Sequence, residues 1–276
     1  NQFLSLVPTQ LQRLLKVEGE AMSWLRQFHA ILLGGAPAWP SLLQTARELG
    51  LPLAPTYGMT ETAAQVATLL PSEFLDGQGG NGRALPHADL TIHDAGGYEL
   101  PPGQVGQIAI AAQSLALAIS SQVIAAPLLT GDLGYLDQAG YLHVVGRETS
   151  LIITGGEKVL PTEVEAAILA TALVTDVAVL GIPDADWGER VIAVVTGMSE
   201  ADAAMPTDGY QRLQSALRSQ LSPYKMPKQW FCCSTLPRNA QGKLNRPALY
   251  QWVMAQLSPT AATTVSTPAL ADGVDA

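Results

Sequence analysis

Residues 130–165 read TGDLGYLDQAGYLHVVGRETSLIITGGEKVLPTEVE, and they bring an acidic bend, a change of domain and a glycine loop into quick succession. Asp132 lies between Gly131 and Gly134, turn-forming residues that predict a tight bend beside a strand end. A carboxylate held there suits two vicinal hydroxyls, although by itself it reads more readily as a turn cap. Residues 141–145 predict a strand, which Gly146-Arg147 closes. The chain then changes character. A short apolar strand at 151–153 precedes the loop Gly155-Gly156-Glu157, and Pro161 with the capping box Thr162-x-x-Glu165 marks the start of a helix.

Composition narrows the classes. A chain of 276 residues, 47% apolar, can bury one large core or a medium core plus a small one. The net charge of −9, from 15 basic against 24 acidic residues, argues against nucleic acid or an anionic membrane as partner. An anionic ligand would have to be met by a few placed cations and backbone amides. Cys232 and Cys233 are adjacent and form no ordinary long-range disulfide with each other, which fits a reducing, cytoplasmic setting; zinc-ligand spacing is absent. The chain opens at Asn1 without an initiator Met or a signal segment, and residues 3–15 already read as a packed element, so a fragment is expected. Residues 104–129 carry no charge, yet Gln107, Gln113, Gln122, paired serines and Pro127 interrupt them, which predicts buried strands of a β-subdomain and no membrane span.

In chain order, Leu11, Leu14 and Leu15 fall on one helical face after Pro8. A strand at 30–33 runs into Gly34-Gly35-Ala36-Pro37 and a helix at 39–49, an α/β unit whose turn lets backbone approach a flat ligand, though such a turn needs none to exist. After a strand at 51–54 comes Thr56-Tyr57-Gly58-Met59-Thr60-Glu61-Thr62. An aromatic ring can stack on a nucleobase, Gly58 lets the backbone turn beneath it, Thr60 offers a hydroxyl to phosphate and Glu61 is a hard oxygen ligand for Mg²⁺. The plain alternative is a strand-to-helix turn capped by Thr60. GQGGNG at 77–82 lacks the Gly-Lys-Ser/Thr ending of a phosphate cradle and predicts a flexible loop.

Strands at 90–92, 106–110 and 115–119 make the β-subdomain. Beyond Gly146, a helix at 162–171, strands at 177–182 and 191–196, a polar insertion at 199–209, a helix at 210–221 and a strand at 229–232 imply a compact α+β or α/β domain. LPRNAQGKL at 236–244 follows, with Gly242 in a tight, mobile turn that pushes Lys243 outward, and then a helix at 245–257. A lone lysine in such a loop is usually only solvated. The Ala/Thr/Ser/Pro tail at 258–276 predicts disorder.

YGMTE, TGDLG, GR, TGGE and PRNAQGK, in that order, resemble the core motifs of the adenylate-forming superfamily, which includes acyl-CoA synthetases, peptide-synthetase adenylation domains and luciferases. The resemblance implies an α/β fold. Residues 1–148 would be the C-terminal portion of the large AMP-binding domain, an α/β unit plus a small β-subdomain, and 149–257 a small mobile α+β domain. Gly82 matches a further turn of the family, whereas GQIAIAAQSLALAIS departs from the family pattern within the β-subdomain.

The implied activity is an ATP-dependent acid-CoA ligase using ATP, Mg²⁺, coenzyme A as co-substrate and a small-molecule carboxylic acid. SLVPTQLQRLL resembles the branch acting on 2-succinylbenzoate in menaquinone or phylloquinone biosynthesis, where Ser5 would line the acyl pocket; Gln65 is a further polar lining candidate. By the same resemblance Gly34, Gly35 and Ala36 border adenine and the acyl group, Tyr57 and Gly58 receive adenine, and Thr60 and Glu61 handle phosphate and metal. Asp132 takes the ribose hydroxyls and Arg147 braces the sugar. Lys243 catalyses adenylation, Thr149 is the hinge, and Gly155, Gly156 and Glu157 line the pantetheine tunnel.

The family's phosphate loop would lie upstream of Asn1, so the chain alone is expected to adenylate poorly. Another acyl-CoA synthetase, an amino-acid-activating domain or a non-catalytic nucleotide-binding remnant stay open, as do the acid and the oligomeric state, a homodimer included. A serine hydrolase does not fit, because no G-x-S-x-G elbow accompanies His29, His87, His93 or His143.

Overall fold

The structure, a computed structural model, describes residues 2–17, 21–119, 122–123, 126–198, 206–240 and 242–257. The tail expected to be disordered lies outside the described residues, as do residues 199–205 of the predicted polar insertion. The chain divides into two compact units, Asn1–Ser150 and Leu151–Ala276.

The first unit begins with β1 (Phe3–Leu6), α1 (Pro8–Leu15), α2 (Ala21–Leu25), β2 (Ala30–Leu33), α3 (Pro40–Glu48), β3 (Leu53–Met59), β4 (Ala64–Thr68), α4 (Pro71–Leu75) and β5 (Arg83–Ala84). Proline stands at the first turn of α1, α3 and α4, where its missing N–H costs no intrahelical bond. The sheet runs β1-β2-β3-β4-β5, parallel up to β3 and antiparallel from there. Leu11, Leu25, Ile31, Leu42, Leu53 and Phe74 form its core.

YGMTE, the 77–82 loop and Asp132 differ from expectation in this unit. Residues 3–6 make a strand ahead of the helix, and YGMTE leads into the hairpin partner β4 through a 3-10 turn at Thr60–Thr62, with Met59 rather than Thr60 at the cap position. The extended β3 carries Tyr57 and Gly58 beyond the predicted strand end because β4 pairs with it there.

A second sheet follows, built from β6 (Ala88–His93), β7 (Gly106–Ala112), β10 (Leu128–Leu136) and β11 (Leu142–Arg147), with the two-residue strands β8 (Ala118–Ile119) and β9 (Gln122–Val123) paired apart from it. It is antiparallel in the order β11-β10-β7-β6, and burial alternates along β6 as a half-covered sheet requires. The loop predicted to be flexible at 77–82 is anchored instead: Asn81 N–H donates to the Leu142 carbonyl at 2.7 Å and Leu142 N–H to the Gly82 carbonyl at 2.8 Å.

The second unit holds β12 (Ile152–Thr154), β13 (Glu157–Val159), α5 (Pro161–Ala170), β14 (Asp176–Asp184), β15 (Gly188–Thr196), α6 (Pro206–Leu217), β16 (Gln229–Cys232) and α7 (Arg246–Leu257). Its sheet runs β13-β12-β15-β14, with β16 parallel to β15. Val177, Val179, Val191, Ala193 and Val195 pack on one face against Val164 and Ile168 of α5 and Leu213 and Leu217 of α6. Ala178, Leu180, Ile192 and Val194 pack on the other against Leu249 and Val253 of α7. Helices on both faces explain why β15 is apolar at successive positions.

The capping box is also corrected. Leu160 is the cap residue and Pro161 opens the helix, while Glu165 turns to the sheet, where it accepts the Val179 N–H at 2.9 Å and an Arg246 guanidinium N–H at 3.1 Å.

Candidate active site

Asp132 is inside β10, not in a turn. Irregular register between Leu129 and Leu133, and again between Leu133 and Gly134, re-aims the strand around it, and Gly131 adopts φ 71°. The ladder then sets Asp132 directly opposite Arg147 of β11, and Arg147 Nε donates to Asp132 Oδ1 at 2.6 Å. Tyr57 arrives from β3, and its hydroxyl donates to Asp132 Oδ2 at 2.8 Å. Thr130 steadies both: its Oγ1 donates to the Ile108 carbonyl at 3.0 Å, accepts the Asp132 N–H at 3.1 Å and lies 3.3 Å from the Tyr57 hydroxyl.

Asp132 is 6% exposed and Tyr57 8%, whereas the Arg147 side chain is largely in solvent. Burial, reinforced by the neighbouring carboxylate, pushes the Tyr57 phenol well above the ordinary tyrosine value, so it stays a donor. Each carboxylate oxygen accepts one bond from these neighbours and has capacity for a second.

The ends of the three parallel strands meet nearby in the same unit. Ser5 is exposed on β1 opposite Leu32, and Gly34, Gly35 and Ala36 follow the end of β2. Gly34 N–H donates to Leu6 O at 3.2 Å, Thr56 Oγ1 to Leu33 O at 3.3 Å, and Asn81 Nδ2 to Thr56 O at 3.1 Å. Carboxyl ends of parallel strands are where α/β sheets take ligands. At Gly58, a Cβ would stand 2.0 Å from the Ala64 carbonyl oxygen, so only glycine lets β3 and β4 close. Gln65 faces Gly58 across that pair.

The turn beyond is strained, since Ala63 has φ 55° and Ala64 φ 145°. Thr62 Oγ1 braces it, within hydrogen-bond reach of Met59 N and of the Met59 and Ala64 carbonyls. Thr60 is exposed and Glu61 half-buried on this turn. Among the described residues no group of three or more His, Cys, Asp or Glu gathers as a metal cage. A single carboxylate such as Glu61 suits magnesium, which keeps waters and shares phosphate oxygens.

Thr149 lies in the 3-10 turn Glu148–Ser150 that ends the first unit. Gly155, Gly156, Glu157 and Lys243 belong to the second. Gly155 and Gly156, at φ 58° and 83°, are the two central residues of the β12–β13 hairpin, a conformation that asks for glycine at both places. Gly155 N–H donates to Trp187 O at 2.8 Å, and Glu189 accepts the Ile153 N–H at 2.7 Å. Lys243 is exposed on a tight hairpin in which Lys243 N–H donates to Asn239 Oδ1 and Asn239 N–H to Lys243 O, both at 2.9 Å.

The structure therefore joins Tyr57, Asp132 and Arg147 by direct contact. Sequence reasoning overlooked Thr130, Asn81, Glu189 and Arg238. Thr130, Asn81 and Arg238 stand inside quoted motifs and Glu189 in none, and the partners of Asn81, Glu189 and Arg238 are distant in the chain, where no spacing rule exposes them.

Comparison with known proteins gives two family matches: residues 2–118 fit the AMP-binding enzyme model and residues 163–243 the AMP-binding enzyme C-terminal domain. A 2-succinylbenzoate–CoA ligase of Listeria monocytogenes is 36% identical over 251 residues, covering 89% of this chain and 50% of the relative. Among solved structures, o-succinylbenzoate CoA synthetase from Bacillus subtilis in complex with the acyl-adenylate intermediate is similar at 34% identity and TM-score 0.72, covering 90% of this chain and 50% of that one. The same enzyme in complex with ATP and magnesium ion is similar at 32% identity and TM-score 0.72, covering 90% of this chain and 51% of that one. The chain spans about half the length of the curated relatives it matches.

Proposed function

The chain belongs to the AMP-binding enzyme family, and from that premise we propose that the protein carrying it is an ATP-dependent acid–CoA ligase acting on 2-succinylbenzoate. A carboxylate resists attack because of its own charge. In the proposed first step it attacks the α-phosphorus of ATP, forming an acyl-adenylate as the bond to pyrophosphate breaks. In the second, the thiol of coenzyme A attacks the acyl carbon, AMP leaves and the thiol proton is released. The resulting thioester would serve menaquinone biosynthesis.

The observation that carries this reading is the Tyr57–Asp132–Arg147 contact, a buried carboxylate held from both sides with acceptor capacity left for two ribose hydroxyls. In this reading Tyr57, with Gly58 beneath it, receives the adenine, and Gly34, Gly35 and Ala36 border it. Arg147 pairs with the Asp132 carboxylate and braces the sugar. Thr60 donates to phosphate, and Glu61 would hold a magnesium ion, whose chemistry is to neutralise phosphate charge. Ser5 and Gln65 line the acid's pocket. Lys243 sits between the substrate carboxylate and the α-phosphate, where a cation offsets the repulsion of two anions. Thr149 absorbs the backbone change between half-reactions, and Gly155, Gly156 and Glu157 face the pantetheine arm. Two free cysteines, Cys232 and Cys233, support a cytoplasmic setting, and no helix among the described residues is long and apolar enough to cross a membrane.

The test is pyrophosphate exchange and thioester formation by the full-length protein given ATP, Mg²⁺, coenzyme A and a panel of acids. Exchange dependent on 2-succinylbenzoate and lost in Asp132→Ala is the expected result. Exchange supported only by amino acids, or none with any acid, would overturn the proposal.

A further inference from the structure

We propose that Arg238, braced by Asp176, is a positioning residue that aims the Lys243 ammonium during acyl-adenylate formation. The inference rests on the reading above that Lys243 acts in that step.

Lys243 has a long flexible stem, so the fold can direct its charge only by fixing the backbone from which it springs. Bonds inside the hairpin set its shape: Gly242 N–H to Asn239 O at 2.8 Å, Asn239 N–H to Lys243 O at 2.9 Å and the Arg238–Leu244 bridge. These bonds leave open how the hairpin is held against the sheet. Leu236 and Leu244 at its base pack into the core beside β14 and β15, and Arg238 adds the polar link. Its Nη1 donates to the Gly242 carbonyl, the peptide group immediately before Lys243, at 3.0 Å, and its Nη2 donates to Asp176 Oδ2 at 2.6 Å. Asp176 is the first residue of β14, and its Oδ1 accepts the Val177 N–H at 2.9 Å, so the carboxylate is fixed to the sheet.

The Arg238 and Asp176 side chains are 18% and 21% exposed, which shelters the pair from salt in a way that surface pairs are not. A guanidinium presents two donors in one rigid plane, one for the hairpin and one for the strand. A lysine at 238 would keep the charge but lose that fork.

The two half-reactions distinguish positioning from general stability. Adenylation is read by ATP–pyrophosphate exchange with 2-succinylbenzoate, and thioester formation by giving the full-length protein preformed acyl-adenylate and coenzyme A. Arg238→Met should lower the exchange kcat by about 10- to 100-fold, the worth of one charge-assisted bond, and Arg238→Lys by about tenfold. The KM for ATP and the thioester step should both stay within about twofold. In a Lys243→Ala background, Arg238→Met should cost nothing further, because it acts only through the lysine.

Equal losses in both half-reactions would make Arg238 merely structural and overturn the inference. So would normal exchange in Arg238→Met when Lys243→Ala lowers it. Normal exchange in Lys243→Ala itself would instead sink the role given to Lys243. If Arg238→Met does not fold, Arg238→Lys and Asp176→Asn carry the same comparison, with loss confined to adenylation expected from each.

Discussion

Asp132 and Lys243 hold their charges in opposite ways. The carboxylate is built into a ladder, 6% exposed and facing its arginine across paired strands, whereas the lysine is exposed on the returning arm of a tight hairpin. A group that grips a ligand throughout the reaction gains from burial, because its hydrogen bonds are then neither screened nor contested by water. On the proposed reading, a group needed for one step alone gains from standing in solvent on a turn. The contrast predicts different kinetic signatures for the two residues. Removing Lys243 should act on rate alone: Lys243→Ala is expected to cost about 10²–10³ in pyrophosphate exchange, the usual loss of one preorganised electrostatic stabiliser, with ATP affinity nearly unchanged. A large loss of ATP affinity in that variant would break the contrast.

Asp132 should show the reverse. Asp132→Asn keeps the shape but loses the charge that Arg147 and the Tyr57 hydroxyl address, and the weaker bonds are expected to lower ATP affinity by about 10- to 100-fold. Titration of nucleotide into the variant checks this directly. A fall in rate at unchanged affinity would place Asp132 with the lysine and erase the distinction.

The two regions also differed in how far the sequence exposed them. The sequence located β2, β16, α3 and α7 to within a residue or so, because the two strands are short apolar runs and the two helices carry apolar residues at helical spacing after or beside a proline. The motif residues Tyr57, Asp132 and Arg147 were legible as residues, but their contact was not, since a hydrogen bond between positions 57 and 132 depends on how two sheets pack. Asp132 looked like a turn residue because flanking glycines signal bends; tertiary pairing with β7 and β11 overrode that signal and made a bulged strand. Glu165 misled for a similar reason. Its spacing from Thr162 fits a capping box, yet burial against β14 and an arginine far along the chain claimed the side chain. Arg238 was invisible because its partner, Asp176, belongs to another strand.

The Glu165–Arg246 pair gives the smallest expected effect and sharpens the contrast from the side of stability. Arg246 opens α7 just after the lysine hairpin, and its Nη1 also donates to Val179 O at 2.9 Å, so it ties that helix to α5 and β14. Burial raises the Glu165 pKa above its ordinary 4.5, and the Arg246 charge works against that rise. A carboxyl with a raised folded pKa binds its proton more tightly in the folded state. Its contribution is therefore fully present below pH 4.5 and is lost as pH rises through the folded value. Arg246→Met removes the opposing charge, drives that value higher and widens the window of loss. The variant should be less stable by about 1–3 kcal/mol at neutral pH and should recover part of this as acid neutralises Glu165. Denaturation midpoints of the full-length protein and the variant, followed from about pH 8 to about pH 5, check both sign and size. A deficit that grows on acidification would mean that Glu165 is not the group left unpaired, and the hairpin's footing on α7 would have to lie in the apolar contacts of Leu249 and Val253 instead.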